Sequence, residues 1–159
     1  MHTWEGKKYK LFSTENFDDF MKAIGVGLIT RKAANAVTPT VELRQDGDTF
    51  VLVTSSTFKT TEMKFKPGEE FDEERADGAK VKSVCTFDGS TLKQVQKAAD
   101  GTEVTFVREF GPEEMKAVYL LMVVTDRLGF TQVSRTRHSP AQRGEYFFIM
   151  YKTVFESLQ

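Results

Sequence analysis

An arginine set among apolar residues is the most chemically informative feature of this sequence. In the segment Gly101 to Phe110, period-two alternation puts Glu103, Thr105, Val107 and Glu109 on one face of a strand and Val104, Phe106, Arg108 and Phe110 on the other. A guanidinium cannot shed its proton and is costly to bury alone, so Arg108 calls for an anion or several acceptors. The chemistry this offers is reception of a carboxylate. A structural pair with a glutamate, or a strand-end arginine whose head reaches solvent, are the open alternatives. No catalytic constellation accompanies it. His2 and His138 are the only histidines, no His/Cys/Glu cluster has metal-ligand spacing, and neither a Gly-x-Ser-x-Gly elbow nor a Walker loop occurs. Gly25-Val26-Gly27 lacks the rest of any nucleotide fingerprint, and Cys85, alternating with Ser83 and Phe87, suits packing better than nucleophilic attack. The reading is a protein that is not an enzyme, with no metal and no cofactor.

The elements that must position Arg108 are short. Phe17, Phe20, Met21 and Ile24 stand at i, i+3, i+4 and i+7, with Asp18, Asp19 and Lys22 opposite, which predicts an amphipathic helix capped by Asn16 and stopped at Gly25 and Gly27. A second helix is expected from Leu28 to Ala36, ending because Thr38 precedes Pro39. A strand over Lys8 to Phe12 comes before them. After Pro39, turn signals recur at hairpin spacing: Asp46-Gly47, Pro67-Gly68, Asp77-Gly78, Asp88-Gly89 and Asp100-Gly101. Many short strands at that spacing predict an all-β sandwich or barrel, and a helix pair inserted after the first strand suits a barrel whose mouth needs covering.

With 159 residues, 40% of them hydrophobic, the chain fits one globular domain. Lys plus Arg number 22 against 23 Asp plus Glu, a formal net charge of -1, which gives no electrostatic case for nucleic acid as a partner. Cys85 is the only cysteine, so no internal disulfide forms, as suits a reducing compartment. The opening MHTWEGKKYK has charges where a secretory signal needs an apolar core, and the apolar run Ala117 to Val124 is far below the ~18 residues of a membrane span. A cytoplasmic monomer is expected.

The stretch K-x-Y-K-L-x-S-x-x-N-F-D-D-F-M followed by G-V-G-x-x-x-R, continued in TPTVELRQDGDTF, SSTFKTTEMKFKPGEEFDEERADGAKVKS and GTEVTFVREFGPEE, resembles the intracellular fatty-acid-binding proteins over roughly Tyr9 to Val118. The resemblance implies a calycin-type, antiparallel up-and-down β-barrel of about ten strands with a helix-turn-helix lid between the first and second. It also implies a non-enzymatic carrier holding one long-chain fatty acid, or a similar lipid carboxylate, inside. Arg108, in V-R-E, matches the family's ligand-coordinating arginine. Phe17 and Phe58 match the entrance, and Phe20, Met21, Ile24, Ala34, Pro39, Thr54, Ala76 and Asp77 match the cavity lining. Lys22, Arg31 and Lys32 on the outer faces of the lid, with Lys59 across the opening, offer a positive patch for transient contact with anionic membranes; a solvated helix surface is the equal alternative.

After Val118 the sequence departs from the family, and Arg-x-Tyr, which completes the family's carboxylate site, is missing. Val133-Ser134-Arg135-Thr136-Arg137 would place Arg135 on the family arginine. The expectation is that 130–137 takes the closing position of the barrel with Arg135 near the carboxylate and that 145–159 packs outside or stays mobile, dividing the chain into a lipid-binding barrel over 1–137 and an atypical extension over 138–159. The rival reading is a barrel-derived interaction module, or a splice-type variant whose altered closing strand impairs lipid binding.

Overall fold

In this computed structural model, residues 2–23, 25–57, 59–75, 78–99, 101–125 and 145–158 are described, with side chains described up to residue 120. The turns at Gly47, Gly89 and Gly101 close hairpins, whereas the turn at Gly68 joins two strands that are not hydrogen-bonded to each other. Gly47, Gly68, Gly89 and Gly101 all take positive φ, between 58° and 87°, where a side chain would meet its own backbone. Between the turns run β2 (Thr40–Asp46), β3 (Thr49–Ser55), β4 (Thr60–Phe65), β5 (Glu70–Glu74), β6 (Lys80–Asp88), β7 (Thr91–Ala98), β8 (Glu103–Phe110) and β9 (Glu114–Thr125). With β1 (Lys8–Glu15) and β10 (Glu145–Leu158) they form one antiparallel ten-stranded sheet in the order β4-β3-β2-β1-β10-β9-β8-β7-β6-β5.

The ring contacts show how this sheet curls. Phe50 of β3 lies 4.7 Å from Phe87 of β6, and Phe65 of β4 is stacked 6.4 Å from Phe71 of β5, though these strands lie far apart or at opposite ends of the hydrogen-bonded order. Such contacts require the two ends to come round to face each other, as in the antiparallel barrel with two helices after the first strand that the sequence predicts. The core at the base is built from Trp4, Tyr9, Leu43, Leu52, Phe65, Cys85, Leu92, Phe110 and Met115. Three hydrogen bonds pin the N-terminal segment beneath it: Tyr9 Oη donates to the Gly111 carbonyl at 2.9 Å, Lys7 Nζ to the Pro112 carbonyl at 2.8 Å, and Thr3 Oγ1 to the Phe110 carbonyl at 3.1 Å.

The lid is α1 (Phe17–Ala23) and α2 (Leu28–Asn35). Asn16 stands in the left-handed region at φ 64°, and its carbonyl accepts the first helical bond from the Phe20 N–H at 3.0 Å. Helix α1 ends in a Schellman motif: Gly25, at φ 88°, donates to the Lys22 carbonyl and Val26 donates to the Met21 carbonyl, at 3.1 and 3.0 Å. Met21 and Val26 are both buried at this corner.

The closing strand differs from the sequence expectation. The place between β9 and β1, expected for 130–137, is held by Glu145–Leu158, which pairs with β1 from Lys8↔Leu158 to Glu15↔Lys152 and with β9 from Glu145↔Thr125 to Glu156↔Glu114. Residues 145–158 are therefore hydrogen-bonded into the sheet rather than packed outside it. β-Branched and aromatic residues at most positions suit a strand flanked on both sides, and they outweigh the weaker propensity of 130–137. The segment 130–137, with Arg135, lies outside the described residues.

Candidate functional site

Strand β7 reads T-L-K-Q-V-Q-K-A, with Lys93 and Lys97 on its exposed face; Leu92, Gln94 and Gln96 are therefore turned inward, at 0, 1 and 4% exposure. In register, Gln94 stands opposite Cys85 of β6 and Phe106 of β8, while Gln96 stands opposite Ser83 and Val104. Three polar side chains are thus committed to the interior at neighbouring positions. Buried amides and hydroxyls must be paired, and here they converge on one carboxylate. Glu73 of β5 accepts at Oε2 from Ser83 Oγ (2.6 Å), Gln94 Nε2 (2.9 Å) and Gln96 Nε2 (2.9 Å).

Arg108 belongs to the same network. It shares the face of buried Val104 and Phe110, and its Nη1 donates to Gln94 Oε1 at 3.0 Å. Its guanidinium carbon lies 5.1 Å from the Phe106 ring centroid and 5.8 Å from that of Tyr119. A cation half-buried over two aromatic faces, with one neutral acceptor among the described residues, has further donors with which to meet an anion. Beside it the Cys85 thiol is pushed up to about 12, chiefly by burial and further by the Glu73 carboxylate, against the opposing pull of Arg108. A thiol of that kind is a packing group, not a nucleophile.

The lid reaches this cation through aromatic rings. Phe20 and Val104 form a buried cluster joined by Phe17, Ala23, Phe106 and Tyr119. Phe20 lies 5.9 Å from Tyr119, and Tyr119 lies 4.7 Å from Phe106. Helix α1 therefore rests on the rings that flank Arg108.

Of the residues expected to line a cavity, Phe20 and Met21 are buried, and Phe17, Ala34 and Pro39 are half-buried. Thr54 is half-buried on the face of β3 that carries Phe50 and Leu52 of the base core. Ile24, Phe58, Ala76 and Asp77 lie outside the described residues. Lys22, Lys32 and Lys59 are exposed, and Leu28 and Ile29 beside them are 57% and 86% exposed. Arg31 departs from the outward-facing set. Its side chain is only 12% exposed, donating from Nε to Asp18 Oδ1 at 3.2 Å and from Nη1 to the Val26 carbonyl at 2.7 Å, so it ties α2 to α1 instead of presenting charge to solvent. Asn35 Nδ2 donates to the same Asp18 oxygen at 3.1 Å.

Two surface depressions, about 550 Å³ beside Trp4, Glu42 and Arg44 and about 780 Å³ beside Glu70, Asp72, Lys80 and Lys97, are not lined by Arg108. Among the described residues, no group of three His, Cys, Asp or Glu side chains is placed to hold a metal ion, and no helix is long and apolar enough to cross a membrane.

The model of the lipocalin / cytosolic fatty-acid binding protein family matches residues 5–138. The chain belongs to that family. It is 50% identical over 109 residues to a fatty-acid-binding protein of Lepidoglyphus destructor, covering 69% of this chain and 82% of that one. A probable fatty acid-binding protein of Anopheles gambiae is 52% identical over 97 residues, covering 61% and 87%. Sodium/calcium exchanger regulatory protein 1 of Doryteuthis pealeii is 53% identical over 92 residues, covering 58% and 70%. Among solved structures, a fatty-acid-binding protein from brain tissue of Drosophila melanogaster superposes with a TM-score of 0.75 at 40% identity, over 96% of this chain and 98% of that one. The Schistosoma mansoni fatty acid binding protein in complex with arachidonic acid superposes with a TM-score of 0.78 at 32% identity, over 100% and 98%. The family match stops at residue 138, before β10 begins.

The sequence reading missed Glu73, Gln94 and Gln96, which share the network of Arg108. The signal was available in β7, whose two outward lysines define the inward face.

Proposed function

We propose that the protein is a non-enzymatic carrier of a long-chain fatty acid or similar lipid carboxylate, with the carboxylate on Arg108 and the chain running along the interior toward the lid. The observation that carries this reading is the Arg108 guanidinium, lying over Phe106 and Tyr119 with one neutral acceptor, in a barrel whose Schistosoma mansoni relative was solved with arachidonic acid. A chain of ~15 methylenes at ~0.8 kcal/mol each offers up to ~12 kcal/mol before ordering costs, against a few kcal/mol for a desolvated ion pair. The acyl chain supplies affinity and Arg108 supplies orientation. Entry is under α1, whose Phe17 and Phe20 lie on the aromatic cluster above the cation. Outside, exposed Lys22, Lys32 and Lys59 with Leu28 and Ile29 give the lid charge and apolar area for transient contact with an anionic bilayer. The working state in this reading is a cytoplasmic monomer. Displacement of a fluorescent fatty acid tests it: saturable one-to-one binding is expected, and no binding to the folded protein overturns it in favour of an interaction module built on the same barrel.

A further inference from the structure

Glu73 gives the interior network its direction. Three donors converge on its Oε2: Ser83 Oγ at 2.6 Å, with Gln94 Nε2 and Gln96 Nε2 both at 2.9 Å. A carboxylate is an acceptor, so each of these amides must turn its nitrogen toward it. For Gln94, 1% exposed, this leaves the carbonyl as the end that meets Arg108, and Arg108 Nη1 donates to it at 3.0 Å. Turning that amide over would set nitrogen against guanidinium, donor to donor, and oxygen against Glu73, acceptor to acceptor. Both hydrogen bonds would be lost inside a side chain that water does not reach.

We propose that Glu73 is a positioning residue for the ligand-binding cation: by fixing the sense of the Gln94 amide it holds the Arg108 guanidinium over Phe106 and Tyr119, with further donors left to meet the carboxylate of the ligand. The proposal rests on the carrier reading and deepens it. Gln94 stands opposite Phe106 and is therefore diagonal to Arg108 across the β7–β8 ladder, within reach of long side chains. Glu73 stands on β5, three strands from β8 in the hydrogen-bonded order, and the side chain that links the two is Gln94. The role runs against the effect of charge alone. A carboxylate near an anion site repels the incoming anion, so a Glu73 acting only through its charge would weaken binding of an acid. Acting through a neutral amide, it strengthens that binding instead, because Gln94 transmits the direction of the hydrogen bonds and brings no negative charge to compete with the ligand.

The test uses the full chain, octadecanoic acid and octadecanol, and follows the ratio of the two affinities, since a general loosening of the interior weakens both alike. Glu73→Gln keeps the shape of the side chain but can present oxygen or nitrogen to Gln94, so the sense of that amide is no longer fixed. The preference for the acid should fall roughly fivefold or more. Gln94→Met should lower it by a similar factor, and adding Glu73→Gln to Gln94→Met should lower it no further, because the link is already cut. A preference that Glu73→Gln leaves unchanged or raises overturns the proposal, the second result being the one that charge alone gives. A preference indifferent to Gln94→Met overturns it too, and that comparison stands even if Glu73→Gln does not fold. Failure of the unmutated protein to bind octadecanoic acid is a different result, and it overturns the carrier reading along with this one.

Discussion

Arg108 and Glu73 are joined through a single side chain: Gln94 accepts from Arg108 Nη1 at 3.0 Å and donates to Glu73 Oε2 at 2.9 Å. The cation and the carboxylate are thus held apart by a neutral amide that serves both. Gln94→Leu removes an acceptor from one and a donor from the other. It should lower unfolding stability by roughly 2–4 kcal/mol, since each orphaned buried group costs about 1–3 kcal/mol. Urea denaturation measures this, and a change below about 0.5 kcal/mol, the size of an ordinary surface substitution, would show that the bridge is incidental.

The architecture was legible where the signal is local. The i, i+3, i+4, i+7 spacing placed α1, and the Gly47, Gly68, Gly89 and Gly101 turns marked strand ends because each needs positive φ. Arg108 could be placed on the apolar face of its strand by alternation alone. The rest depends on residues far apart in sequence. Glu73 meets Gln94 across 21 positions, and Arg31 turns inward only because Asp18, on the preceding helix, lies within 3.2 Å. The closing strand was the largest departure: hydrogen-bond partners on both flanks select Glu145–Leu158, and no periodicity reports which strands will be its neighbours.

The Cys85 thiol, pushed up to about 12 from 9.0, links stability to pH. The folded state favours the protonated thiol, so the stabilisation is complete below the unfolded value near 9.0 and is lost as pH rises toward 12. Burial also raises the Tyr9 phenol, which acts in the same direction above its ordinary value of 10.0. Melting temperature should fall between pH 9 and 12 more steeply in the unmutated protein than in Cys85→Ala. Parallel pH profiles would contradict the assignment.

Arg31 and the two exposed lysines of the lid should separate by readout. Arg31→Ala removes the Asp18 and Val26 contacts and should speed hydrogen exchange across α1 and α2, with a local cost of about 1–3 kcal/mol. Charge reversal of Lys22 and Lys32 should instead slow lipid transfer to anionic vesicles with little change in equilibrium affinity, because surface charge steers encounter more than it stabilises complexes. Transfer rates indifferent to both salt and reversal would reduce these lysines to solvated surface.

Strand β10 carries the ladders of both β1 and β9. Deleting 145–159 leaves two open strand edges and should abolish the cooperative melt or cause aggregation. A truncated chain that melts cooperatively within about 3 °C of the full one, a shift worth less than about 1 kcal/mol, would show that β10 is dispensable.

The central claim is that Arg108 receives a carboxylate, and the direct measurement is the affinity of Arg108→Gln for a long-chain fatty acid and for the alcohol of the same length, each set against the unmutated protein. The acid should lose roughly tenfold or more, in keeping with about 1.5–3 kcal/mol for a charge-assisted hydrogen bond, while the alcohol changes by less than about threefold. Equal losses for acid and alcohol would contradict the claim and leave Arg108 as a structural partner of Gln94.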